Sequence, residues 1–222
     1  AVMVQHADEQ RRFREAIDLL EDNPRQAKLI FESLAMNGNK RAMYELGECY
    51  YHGKGVGKDR GNALVWYKRA AEEPNPYPMA VYELGRCYQY GWGTEPDIEL
   101  ARAYYARAWE LGVKDAVGDL ALCAPDQNTN LNWLTIGDQV NEPRCVCGIG
   151  LLYKNGEEGF EQSNEIAFQY FKRAAEQNHV GALSILLQDR CLGVGDEFEM
   201  RWVLDKCLKL AETDTLMRIF EK

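Results

Sequence analysis

The 222-residue sequence predicts an all-α protein, an α/α superhelical solenoid of about six helix-turn-helix repeats. Three observations carry this. A self-similar block recurs at an offset of 38 residues, apolar residues inside each block keep helical spacing, and glycine-rich links separate the blocks.

The array starts with a hairpin over residues 9–38, whose second half reads Ala27-Lys-Leu-Ile30-Phe31-Glu-Ser-Leu34-Ala35 after a short Asp-Asn-Pro link. The next unit, 42–73, opens on Ala42-Met-Tyr-Glu-Leu46-Gly47-Glu-Cys-Tyr50, where Ala42, Leu46 and Tyr50 share one helix face. Its second block, Ala63-Leu-Val-Trp66-Tyr67-Lys-Arg-Ala70-Ala71, makes another apolar stripe, and a buried Trp66 would cost about 3–5 kcal/mol to truncate to alanine. Residues 80–112 repeat both blocks, with Ala80, Leu84, Gly85 and Tyr88 and then Ala101, Tyr104, Tyr105 and Ala108. Gly47 and Gly85 lack a side chain where a second helix approaches, which offsets the helix cost of about 1 kcal/mol. The links Gly53-Lys-Gly55-Val-Gly57 and Gly91-Trp-Gly93 turn the chain, and Asp59 and Asp97 stand where a carboxylate caps the following helix.

Later units loosen. Residues 116–141 form a truncated repeat keeping Ala116, Leu120 and Trp133, and its stretch Ala124–Gly137 reads as either a bend in the stack or a plain loop. Residues 145–178 retain Ile149, Gly150, Tyr153 and Gly156 before Tyr170 and Phe171. Residues 182–222 form a degenerate cap with Gly193 and Gly195 in the turn and Lys206 and Cys207 in place of the aromatic pair. The expectation is one solenoid over 1–222, since a lone hairpin cannot bury both faces.

Composition narrows function. With 26 Lys+Arg against 35 Asp+Glu, the net charge of −9 argues against a duplex nucleic-acid binder, and no apolar run reaches membrane-span length. Seven cysteines cannot all pair within the chain, so reduced structural thiols and a cytoplasmic location are expected, with a periplasmic or secreted placement after leader removal as the alternative. Cys145 and Cys147 fall on different helix faces and no second ligand pair accompanies them, so no metal or cofactor is expected. No serine of the chain heads Ser-x-x-Lys or sits in Gly-x-Ser-x-Gly. The segment 53–58 is a poor phosphate loop, because His52 replaces its first glycine and Asp59 its magnesium-binding hydroxyl. No catalytic residues are assigned; a hydrolase using His52 with an acid or thiol is the least favoured reading.

The pattern Ala-x3-Leu-Gly-x2-Tyr-x2-Gly-x-Gly-x3-Asp-x3-Ala-x2-Trp/Tyr-Tyr-x2-Ala-Ala over 42–71, and again over 80–108, resembles Sel1-like repeats, relatives of the tetratricopeptide repeat. The resemblance implies right-handed superhelical winding, with first-helix positions lining a concave groove. The residues placed there are Arg41, Tyr44, Glu48, Tyr51 and His52 in one repeat and Tyr82, Arg86, Gln89 and Tyr90 in the next. Cys147, Leu151 and Lys154 are the later equivalents. Aromatic residues with arginine are favoured at binding hot spots, although such tyrosines can also simply fill gaps between repeats. The expected function is a noncatalytic adaptor or scaffold holding a peptide or protein segment, with the acidity favouring a partner that carries basic residues. An immunity-type protein that blocks a toxin or enzyme is the alternative, and homo-oligomerisation stays open.

Overall fold

A computed structural model describes residues 2–157, 159–188 and 197–211. Among these residues there are twelve helices and no strand. The chain divides into two compact units, Ala1–Ala116 and Val117–Lys222.

Unit 1 contains α1 (Val2–Asp22), α2 (Pro24–Met36), α3 (Lys40–His52), α4 (Arg60–Ala70), α5 (Pro78–Tyr90) and α6 (Ile98–Glu110). Each helix packs on the next in sequence through α6, the pattern of stacked hairpins. α1 begins well ahead of the expected residue 9, and a single residue, Asn23, separates it from α2 while capping Gln26 N–H. Unit 2 holds α8 (Gln127–Gln139), α9 (Pro143–Asn155), α10 (Asn164–Glu176), α11 (Val180–Gln188) and α12 (Glu197–Ala211), and the short α7 (Ala116–Leu122) begins at the division. Gly193, Gly195 and residues 212–222 lie outside the described residues.

The stretch read as a bend or loop at 124–137 is mostly α8, because Asp126 accepts the Thr129 N–H at 2.8 Å and starts a helix there. Within that helix the buried side chain is Leu134, while Trp133 is only half-buried. Asp59 and Asp97 cap α4 and α6 as expected, each accepting a backbone N–H at 2.9 Å. The N–H of the capping residue in turn donates to the carbonyl of a tyrosine in the last turn of the preceding helix: Asp59 to Tyr50, Asp97 to Tyr88, and Ser163 to Tyr153. One turn geometry therefore recurs in three repeats.

The first two glycines of the α3–α4 and α5–α6 turns do different jobs. Gly53 and Gly91 end α3 and α5 in the left-handed region, at φ 78° and 68°. Gly55 instead lies on the backbone at Pro24, where α2 begins, and Gly93 on that at Arg60, where α4 begins; a Cβ on either would run into the main chain. The helical glycines are equally specific. A Cβ on Gly47 would lie 2.5 Å from the Tyr67 ring, on Gly85 2.6 Å from Tyr105, and on Gly150 2.8 Å from Phe171. The second helix of each of these three hairpins thus seats a fully buried aromatic ring on a bare patch of the first. Lys206, in place of the aromatic pair in the last unit, donates to the Ala175 and Glu176 carbonyls and closes the end of α10.

Candidate functional site

The main residues singled out by sequence sit on α3 and α5 of unit 1, with their later equivalents on α9 of unit 2, and the packing of the second helices decides what each can offer. Tyr67 and Tyr105 are buried rings that need an acceptor for their hydroxyls. Tyr67 donates to Glu48 Oε1 at 2.5 Å. In the next repeat Arg86 replaces that glutamate and cannot accept, and Tyr105 donates to Gln89 Oε1 at 2.5 Å, one turn further along α5. Glu48 and Gln89 therefore hold the hairpins together as well as reaching the surface.

Tyr82 differs from its expected place. It is only 9% exposed and packs on Tyr105 with ring centres 5.6 Å apart, so its ring fills space between helices. Its repeat equivalent Tyr44 is half-buried, against Tyr77 at 5.1 Å and Tyr67 at 6.1 Å, and burial pushes its hydroxyl pKa well up. Cys147, the later equivalent, is buried in the unit 2 core, whereas Leu151 is exposed. Arg41 is exposed, with its guanidinium 4.3 Å from the centre of the Phe13 ring of α1.

Tyr44, Glu48 and His52 come together in a hollow of about 380 Å³ between α1 and α3, which Leu20, Glu45, Cys49 and Lys54 also line. His52 Nε2 lies 3.4 Å from Glu48 Oε2. Glu45 was not singled out by sequence, yet it is electrostatically the most telling group in the hollow. Burial and then the Glu48 charge push its carboxyl above the usual range, and Arg41 and Lys54 compensate only in part. The spacing of Glu45 and Glu48, three apart on one helix, was the available signal.

Tyr51, Arg86 and Tyr90 converge elsewhere, on Trp92 of the α5–α6 turn. Tyr90 stacks on Trp92 at 4.9 Å, Tyr51 meets it at 5.0 Å, and the Arg86 guanidinium lies 4.8 Å from its ring centre. Arg86 is also paired with the buried Glu83, both oxygens at 3.2 Å. Tyr51 touches His52 edge-on at 4.8 Å, so the hollow and the aromatic cluster adjoin. Neither Trp92 nor Arg60, which also faces it, was among the predicted site residues; between two glycines the tryptophan reads as turn filling.

The thiols offer no nucleophile in this region. Burial pushes Cys49 up to about 11 and Cys87 up to about 12, so both stay protonated at neutral pH. Cys145 lies against Gly137 and Cys147 in the core of α10 and α11, on separate faces of α9. Among the described residues no group of three or more His, Cys, Asp or Glu side chains is placed to hold a metal, and no helix is long and apolar enough to cross a membrane.

The Sel1 repeat family model matches residues 40–75, 78–113 and 143–179. No curated protein sequence gives a significant match. Over 91% of its length the chain resembles a crystal structure of a Sel1 repeat protein from Oxalobacter formigenes, with 27% identity, 88% of that chain covered and a TM-score of 0.78. A protective antigen of uropathogenic Escherichia coli displaying an SLR fold matches 94% of this chain over 47% of its own, with 21% identity and a TM-score of 0.68. An immunity protein from Pseudomonas aeruginosa matches 91% of this chain over 81% of its own, with 19% identity and a TM-score of 0.60, a likeness of fold. Proteins with these repeats generally mediate protein–protein interactions, and the fold is typically noncatalytic. With glycine-seated hairpins at each matched position, the chain is a Sel1 repeat protein.

Proposed function

We propose that the protein is a noncatalytic adaptor or scaffold that holds a segment of another protein against the α3 and α5 surface of unit 1. The observation that carries this reading is the hollow between α1 and α3, where the desolvated Glu45 carboxylate faces Glu48 without full compensation. A lysine or arginine from a partner relieves that repulsion, which makes the hollow complementary to a basic residue and gives Tyr44 an apolar stem to cover. Glu48 stays tied to Tyr67 and His52, so the pocket is held in shape before anything binds. Catalysis through His52 gains no support from Cys49, whose buried thiol remains protonated.

The test is capture of host proteins by the wild-type chain and by Glu45→Lys, both checked for equal helicity. The charge-reversed bait is expected to lose the wild type's specific partner. Undiminished capture of that partner rejects the hollow as its docking place. An immunity role is the competing outcome, and it is read from the partner itself: a secreted toxin or an enzyme silenced on binding.

A further inference from the structure

We infer that the surface built around Trp92 is a seat for an acidic protein segment, carboxylates engaging Arg60 and Lys58 while an apolar side chain of the segment covers Tyr90 and Trp92. This rests on the reading of the α3 and α5 face as a docking surface and specifies the chemistry of the part that adjoins the hollow through Tyr51 and His52.

The floor is aromatic. Tyr90 is 49% exposed and stacks nearly parallel on Trp92, at 26° between planes, and Tyr51 closes the opposite edge. Cations stand around it. The Arg60 guanidinium lies 5.5 Å from the Trp92 ring centre and 5.8 Å from that of Tyr51, and the Lys58 ammonium lies 5.8 Å from Tyr51. Arg86 is already neutralised by Glu83. Arg60 and Lys58 have no ion-pair partner among the described residues. The carboxylate between them in sequence, Asp59, is spent on both the backbone and side-chain N–H groups of Asn62. Two positive charges are thus held over rings with no anion supplied, in a chain whose net charge is −9.

That combination selects its occupant. Stacking leaves the donor edge of a guanidinium free for a bidentate carboxylate, and the ring beneath restricts its motion, lowering the entropy lost on binding. Arginine, tryptophan and tyrosine are also the residue types that dominate interface hot spots. A single-stranded nucleic acid could use the same groups, but the chain's overall negative charge repels a polyanion, whereas a short acidic segment interacts only locally.

The experiment uses the full chain and three probes: a short peptide alternating glutamate and phenylalanine, its lysine counterpart, and oligothymidylate. The readout is the indole N–H resonance of Trp92, assigned by its loss in Trp92→Phe. The acidic peptide is expected to move that resonance, with an affinity that falls as salt rises and drops at least about tenfold in Lys58→Glu/Arg60→Glu. Both positions are exposed, so the double variant keeps its fold, which circular dichroism checks. An unmoved indole, equal binding by the double variant, or a shift produced instead by the lysine peptide or oligothymidylate overturns the proposal. Should the Trp92 seat fail while Glu45→Lys still abolishes partner capture, the docking face stands without it. The reverse pair of results leaves the seat and removes the hollow.

Discussion

Adding one methyl group at Gly47 tests the packing on which the three glycine-seated hairpins depend. In an exposed helix, glycine to alanine stabilises by about 1 kcal/mol, because the unfolded chain loses freedom. At Gly47 the new Cβ would fall 2.5 Å from Cε1 and 2.7 Å from Cδ1 of Tyr67. Those atoms cannot simply retreat: the ring is fully buried and its hydroxyl is fixed on Glu48. Overpacking of this kind costs about 1–3 kcal/mol, which outweighs the propensity gain at most values in that range. Gly47→Ala is therefore expected to lose about 1 kcal/mol net, a fall of about 2–4 °C in Tm for a chain of this size. Gly61→Ala is the control, since its Cβ would meet only Asp59 Oδ1 at 3.4 Å and it sits exposed near the start of α4. Urea unfolding followed by far-UV circular dichroism should move the two midpoints in opposite directions. In a Tyr67→Leu background the cost of Gly47→Ala should shrink, with a coupling of at least about 1 kcal/mol. Equal stabilisation by both alanines would refute the glycine-seat argument.

Gly55→Ala is expected to be worse than Gly47→Ala, at least about 2 kcal/mol, because it combines positive φ with a collision against main chain at Pro24; the urea midpoint compares the two directly. His179 caps α11 by accepting the Ala182 N–H at its Nδ1, 3.1 Å away, which only a neutral imidazole can do. Burial holds its pKa below the ordinary 6.5, with Glu142 opposing. The unfolded chain takes up that proton first, so the stability it contributes is full above the unfolded pKa and is lost as pH falls through the lower folded one. Between about pH 7.5 and pH 5, wild type should lose more midpoint than His179→Asn, which caps without titrating. Cys49, Cys87 and Cys147, raised to about 11, 12 and 11, should resist Ellman's reagent in the native chain and react once guanidine unfolds it.

The hairpins were legible because small, aromatic and glycine positions recur together, and such coincidence reports packing directly. A close helix approach at Gly47 and Asp59 as a cap could be read from spacing alone, while the ring that meets Gly47, Tyr67, comes from the assembled fold. The docking of Gly55 onto the start of α2 could not, since it joins neighbouring repeats and a local pattern shows only the turn. Helix α8 was obscured by its asparagines, which favour loops unless a cap such as Asp126 and a buried residue such as Leu134 secure them. Tyr44 and Tyr82 occupy the same place in two repeats, yet Tyr44 lines a hollow and Tyr82 is core, because burial depends on the neighbouring helix. Periodicity fixes which way a side chain points, and only the assembled fold decides what it meets.

Because Gly55 and Gly93 touch main chain instead of side chains, the pitch of one hairpin on the next is set by atoms common to every amino acid. The outward faces are released from that duty. At one address the first copy carries Glu48 and the second Arg86; at another, Tyr51 and Gln89. A lineage can therefore rewrite its recognition lettering copy by copy while the spine on which it is written stays in register.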